Sequence, residues 1–235
     1  MKVGTDGVLL GAWARVEHCH HILDMGTGTG LVALMAAQRS QADIVAIDLD
    51  ADAVAQATEN VAASPWKERI HVLEADARKI ENGGKMHDTS GGDETFHLSS
   101  FIFPLFDSIL CNPPFFENSL KSPDAARTMA RHTDTLTFDE LARSAARLLS
   151  PEGELSVVVP YDRAHDMTVS AACNGLFATR QTIVVPIEGG KPKRILMAFT
   201  REGAAHAVET LFIHDAQRHY TPEYVRLVED FYLKM

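Results

Sequence analysis

Three glycines alternate in Gly26-Thr27-Gly28-Thr29-Gly30, and the residues on either side leave the chain little freedom there. His21-Ile22-Leu23-Asp24-Met25 reads as a short strand, and Leu31 to Arg39 reads as a helix. Glycines at a strand-to-helix turn allow a tight bend and a close approach of ligand to the helix N-terminus. The pattern then repeats. Ile44-Val45-Ala46-Ile47-Asp48 is a second strand ending in an acid, and Asp50 is placed to cap a helix over Ala51 to Ala62. Ile70 to Glu74 is a third strand, followed by Ala75-Asp76-Ala77, and Phe106 to Cys111 is a fourth. Strands alternating with helices imply parallel pairing and right-handed crossovers. The expected fold is α/β and Rossmann-like: a seven-stranded, mostly parallel sheet with helices on both faces.

The second half extends this plan. A helix is expected from Phe138 to Leu149, a turn at Ser150-Pro151-Glu152-Gly153, a strand from Glu154 to Pro160 and a helix through Ala172. Thr182 to Ile187 and Arg194 to Thr200 suit a closing antiparallel pair, and Glu209 to Ile213 a further short strand. Thr221-Pro222-Glu223 starts a C-terminal helix with a cap residue and a proline in the first turn. Glu81 to Ser100, rich in glycine and aspartate, has no apolar period and reads as a long flexible loop. The 235 residues fit one domain spanning 1–235. No stretch reaches the roughly eighteen apolar residues of a membrane helix, so no membrane partner is expected. Asp6 interrupts the place where a signal peptide would be apolar, and three widely spaced cysteines argue for a reducing compartment. The expected location is cytoplasmic.

The glycine run suggests a nucleotide-like ligand. Counted from Gly28, it reads Gly28-x-Gly30-x-x-Ala33, which a nicotinamide oxidoreductase could use. Asp24, two residues before the first glycine, favours a different ligand. Its carboxylate suits a cationic amino-acid group, such as the ammonium of S-adenosylmethionine, and would repel a pyrophosphate. Asp48 can accept bonds from a ribose diol, Asp76 from an adenine amino group, and the Ala77 N–H lies where a ring nitrogen would be met.

Asn112-Pro113-Pro114-Phe115 ends the fourth strand, at the sheet edge where α/β ligands sit. An aromatic amino group is a poor nucleophile because its lone pair is delocalised. The Asn112 side-chain carbonyl and the Pro113 backbone carbonyl can accept both N–H bonds and draw that lone pair out of the ring plane. The prolines preorganise the carbonyls, and Phe115 offers a face for a flipped base. No general base is needed before transfer, because the nitrogen can lose its proton afterwards.

The formal net charge of −10 argues against a generic nucleic-acid binder, so any RNA contact rests on local patches. Two exist: Lys191, Lys193 and Arg194 beside Gly189-Gly190, and Lys121, Arg127, Arg131 and His132. His18-Cys19-His20-His21 does not make a metal site, since adjacent side chains on an extended segment diverge and no second cluster follows. Cys111 reads as a buried apolar residue, not a nucleophile, and Trp13 as core filling.

From Asp24 to Gly30, at Asp48, at Asp76 and at Asn112-Pro113-Pro114-Phe115 the chain resembles class I S-adenosylmethionine-dependent amino-methyltransferases. Over nearly its whole length it is similar to the bacterial tRNA1(Val) adenine-N6 methyltransferase family. That likeness rests on Lys2 to Trp13, Asn112 to Phe116, Ala130-Arg131-His132, Lys191 to Arg194 and Tyr220 to Tyr232. The resemblance implies methylation of the adenine just 3′ of the anticodon in a valine tRNA, with Thr5 and Asp6 enclosing the methionine end of the cofactor. It makes Phe115, Arg131, His132, Lys191, Lys193 and Arg194 candidate RNA contacts, with no metal, on a monomer. It also implies extra residues before the segment that begins at Met1. The same tetrapeptide serves protein glutamine-N5 and rRNA guanine-N2 enzymes. A nicotinamide oxidoreductase and a non-catalytic RNA-binding protein are the alternatives from other classes.

Overall fold

Ile22 and Leu23 are neighbours in the first strand, both fully buried, and they face opposite layers. The same split holds for Val45 against Ala46, Ile109 against Leu110, Val157 against Val158, and Met197 against Leu196. Strands apolar on both faces must be covered on both faces, which an α/β sheet does with helices. The computed structural model describes residues 4–80, 104–113, 136–203 and 207–232. The elements are α1 (Thr5–Trp13), β1 (His21–Met25), α2 (Leu31–Arg39), β2 (Asp43–Asp48), α3 (Ala51–Ala62), β3 (Ile70–Glu74) and β4 (Phe106–Cys111). They continue with α4 (Phe138–Leu148), β5 (Leu149–Pro160), α5 (Ala164–Cys173), β6 (Phe177–Ile187), β7 (Arg194–Thr200), β8 (Ala207–His214) and α6 (Pro222–Val228).

The strand order is β3-β2-β1-β4-β5-β7-β6-β8. β7 is antiparallel to both β5 and β6, and the remaining pairs are parallel. The ends of β1 to β6 and β8 and the start of β7 therefore share one edge. Helices α1, α2 and α6 supply one core layer, through Leu9, Leu10, Ala33, Met35 and Val228. Helices α4 and α5 supply the other, through Leu141, Ala145, Leu148 and Met167.

Eight strands are present among the described residues where seven were expected. The short strand expected at Glu209 to Ile213 is β8, which runs from Ala207 to His214 and joins the same sheet in parallel with β6, Arg180 opposite Ala207. The expected turn at Ser150–Gly153 lies inside β5. Phe106 pairs with Leu149 and Ser108 with Glu154, so these residues bulge out between two matched rungs. Helix α1 was not foreseen. Its residues from Gly7 to Trp13 are all buried, so it lacks the polar face by which helices are read. Gly7 and Gly11 also weaken the local helical signal, yet they let α1 lie close on α2. A Cβ at Gly11 would come 2.7 Å from Met35 Sδ, and one at Gly7 3.2 Å from Leu31 Cδ2. Caps foreseen at Asp50 and Thr221 are present: Asp50 accepts from the Asp52 N–H at 3.0 Å and Thr221 Oγ1 from the Tyr224 N–H at 3.3 Å. The Glu81–Ser100 segment lies outside the described residues.

Candidate active site

The glycine turn is built as its sequence requires. Gly26, Gly28 and Gly30 all adopt left-handed backbone, with φ of 75°, 57° and 80°. The N–H groups of Gly26 and Thr27 both donate to the Ile47 carbonyl at 2.9 Å, which lashes the turn to the end of β2. A Cβ at Gly26 or Gly28 would meet nothing within 4 Å, so the outer side of the turn is open backbone. An open glycine cradle between two acids fits a nucleoside bearing a cationic amino-acid group.

Asp24 is buried beneath this turn. Its Oδ2 accepts from the Thr27 hydroxyl at 2.6 Å and from the Ala33 N–H at 3.1 Å, so it ties the turn to the first residues of α2. Burial pushes its carboxyl up to about 6, against the lowering effect of those two bonds. Asp48 Oδ2 accepts from the Gly28 N–H at 2.9 Å and Oδ1 from the Asp50 N–H at 3.0 Å. Each oxygen keeps a further lone pair for a ribose hydroxyl.

Asp76 is not an open acceptor. It caps a 3-10 turn over Ala77–Lys79 and is gripped by Arg78, whose Nε lies 2.9 Å from Oδ1 and whose Nη2 lies 2.9 Å from Oδ2. Burial acts to raise its carboxyl, but the Arg78 bonds and charge outweigh this and hold it below the usual carboxylate range. The carboxylate expected to meet adenine is thus already paired with Arg78, a partner that sequence reasoning passed over. Glu140, 3.5 Å from Arg78 Nη1, offers the guanidinium a second partner. Ala77 is buried, and its carbonyl accepts from Arg147 at 2.8 Å.

Asn112 directly follows Cys111, which pairs with Met25, the residue before Gly26, so it leaves the end of β4 next to the start of the glycine turn. Its neighbour on the other side is Gly7 of α1: a Cβ there would lie 3.8 Å from Asn112 Nδ2. Pro113 is buried next to it. Pro114, Phe115, Arg131 and His132 lie outside the described residues. Cys111 is buried, and burial together with the charges of Asp24 and Asp48 pushes its thiol far up, so it is no nucleophile.

Helix α1 closes the site from above. Asp6 and Arg194, expected as a cofactor contact and an RNA contact, meet each other: Arg194 Nε donates to Asp6 Oδ2 at 2.8 Å. Thr5 is exposed at the start of the same helix, and Lys191 and Lys193 are exposed on the loop before Arg194. At its far end α1 is pinned to β6, where Trp13 Nε1 donates to Thr182 Oγ1 at 2.8 Å and the Arg180 guanidinium lies 3.6 Å from the indole centre. Trp13 thus fills the core, and it also locks α1 in place. Thr27, Gly7 and Arg78 are site residues that sequence reasoning passed over. For Thr27, its place three residues after a buried acid was the available signal.

Residues 22–98 match the family model described as a methyltransferase domain. A solved structure of a predicted O-methyltransferase from Agrobacterium tumefaciens superposes with a TM-score of 0.67 at 20% identity, covering 96% of each chain. A TehB-like SAM-dependent methyltransferase from Corynebacterium glutamicum superposes at 0.51 with 15% identity, covering 85% of this chain and 89% of that one. Fold and glycine turn together define the Rossmann-like α/β class that these methyltransferases share. Proteins named tRNA1(Val) (adenine(37)-N6)-methyltransferase are 48% identical over 235 residues in Phocaeicola vulgatus and 45% over 237 in Bacteroides thetaiotaomicron. Each match spans 100% of this chain and 92% of the relative. The chain belongs to the tRNA1(Val) (adenine(37)-N6)-methyltransferase family.

Proposed function

We propose that this chain methylates N6 of an adenine in tRNA, the adenine just 3′ of the anticodon in tRNA1(Val), with S-adenosylmethionine as donor. The observation that carries this reading is that β4 ends in Asn112 beside β1, which ends in the open Gly26–Gly30 cradle. The cofactor, when bound, supplies an electrophilic sulfonium methyl. Asp24 and the glycine turn hold its amino-acid end, with Thr5 and Asp6 at the start of α1 helping to enclose it. Asp48 holds the ribose, and Asp76 with the Ala77 N–H reads the adenine once Arg78 yields. The Asn112 side-chain carbonyl and the Pro113 carbonyl take the two N–H bonds of the target amine. Pro114 stiffens that segment and Phe115 stacks the flipped base. Arg131, His132, Lys191 and Lys193 meet RNA phosphate, and Arg194 supports them through Asp6. Positioning does most of the work, and the amine releases its proton after transfer. The chain acts as one domain, as a monomer, in the cytoplasm.

The test is incubation with tRNA from cells lacking the gene, followed by identification of the modified nucleoside by mass spectrometry. N6-methyladenosine is expected, and Asn112→Ala should abolish it while cofactor affinity stays within a few-fold. Label entering protein instead, or activity surviving in Asn112→Ala, would overturn the reading. Calorimetric preference for NAD would do the same.

A further inference from the structure

The edge that carries the site is electrically lopsided. On the β2–β3 side of Asn112 it exposes Asp50, Asp52 and Glu74, with Lys79 the exposed cation nearby. On the β5–β8 side it exposes Lys191, Lys193 and Arg218, against Glu188 and Asp162. A polyanion reaching Asn112 is repelled by the first half and drawn to the second.

The second half is also held firmly. Tyr161 directly follows β5, the strand beside Asn112. Its N–H donates to the Lys193 carbonyl at 3.2 Å, yet its side chain is 41% exposed. The lysine loop is joined in turn to the end of β8, where the Glu188 N–H donates to the His214 carbonyl at 2.9 Å. Beyond His214 the chain makes a tight turn. Asp215 Oδ1 accepts from the N–H groups of Gln217 at 2.9 Å and His219 at 2.8 Å. At its tip Arg218 has φ of 67°, the one left-handed non-glycine residue among those described. An arginine is a poor choice for that backbone, where glycine or asparagine would cost less. Asp215 Oδ2 lies 3.4 Å from His219 Nδ1, and Arg218 stands exposed between them in the chain.

We infer that this face is the tRNA docking surface: Tyr161 stacks a nucleotide adjoining the target adenine, and Lys191, Lys193 and the Arg218–His219 turn grip backbone phosphates leading away from it. The inference rests on the tRNA reading above and adds to it a stacking residue and a phosphate clamp. The span suits a strand of nucleotides. From β4 to β8 is four strand spacings, about 19 Å. Stacking on an exposed tyrosine tolerates any base, and phosphate contacts set position and register.

The experiment uses the full chain with the tRNA that the wild-type protein methylates, reading KM for tRNA, cofactor affinity, melting temperature and salt dependence. Tyr161→Ala should raise KM for tRNA about tenfold, with Tyr161→Phe near wild type. Arg218→Gly relieves the backbone, so it should hold or raise the melting temperature, yet raise KM for tRNA several-fold. It should also flatten the dependence of log affinity on log salt by about 0.7–0.9, one phosphate contact. Cofactor affinity should not move in any variant. Unchanged KM and salt slope in Tyr161→Ala, Arg218→Gly and Lys191→Ala/Lys193→Ala would overturn the docking surface. So would a shift in oligomeric state as the sole effect, which would assign the face to a second copy. If the wild-type protein labels no tRNA, it is the function that fails, and the two failures are told apart.

Discussion

Nε of Arg194 lies 2.8 Å from Oδ2 of Asp6, joining the first turn of α1 to the first residue of β7 across 188 positions of sequence. The pair is part-buried and holds the first turn of α1, whose Gly7 lies beside Asn112. Asp6→Asn and Arg194→Gln should each weaken cofactor binding a few-fold. The double variant should be no worse than either single one, because both remove the same tether. Calorimetry on the four proteins checks this, and the direct contribution of the pair to stability should stay near 1 kcal/mol.

Asp24 makes stability depend on pH. Its folded value of about 6 stands above the ordinary 3.8, because burial disfavours the charge. The folded protein therefore binds this proton more tightly than the unfolded chain. Its effect is to lower stability as pH rises from about 4 to about 6, by roughly 3 kcal/mol in all, with no further loss above that. Asp24→Asn keeps an oxygen for Thr27 and Ala33. It should remove this slope and raise the melting temperature at pH 7, while cofactor affinity falls at least about tenfold with the charge that met the ammonium. Thermal unfolding across pH 4–8 tests the first part and calorimetry the second.

Gly28→Ala should separate binding from folding. The new methyl meets nothing within 4 Å, so the penalty is the left-handed backbone alone, about 1–2 kcal/mol. It would project into the open cradle, so cofactor affinity should fall well beyond what that strain accounts for. Gly11→Ala should do the opposite. Its methyl would come 2.7 Å from Met35 Sδ, so it should cost about 1–3 kcal/mol of stability by prising α1 from α2. Denaturant melts and cofactor titrations on both variants give the comparison.

Arg78→Met should leave Asp76 without its partner. Asp76 is held below its ordinary value, so its contribution is present above about pH 4 and lost as the pH falls through the folded value. The variant should lose this acid-side slope and be less stable at neutral pH. If Arg78 competes with adenine for the carboxylate, the variant should bind cofactor at least as tightly as wild type. A loss of tenfold or more would make Arg78 a support for Asp76 instead.

Most elements of the first half were legible from apolar runs with clear stops, as where β1 meets Gly26, β2 ends at Asp48 and β3 at Glu74. β1, β3, β4, α2 and α3 fall on the expected residues. Helix α1 was hidden because burial on all sides erased its periodicity, and β8 looked short because Ala207 to Glu209 are exposed at the sheet edge. At the site, the residue types at strand ends could be read, but their pairings could not. Asp76 with Arg78 is a local contact that an acid two residues before an arginine permits without requiring. Asp6 with Arg194 depends on β7 entering between β5 and β6, which no local pattern encodes.

Trp13 and Thr182 are 169 residues apart, yet their bond anchors the helix that roofs the site. At translation speeds of 5–20 residues per second, the ribosome needs roughly ten to thirty seconds to deliver the second partner after the first. Through that interval the oily flank of the opening helix has no β6 to rest on and is open to aggregation. Production of this protein should accordingly be sensitive to chaperone supply and to anything that stalls synthesis in its final third.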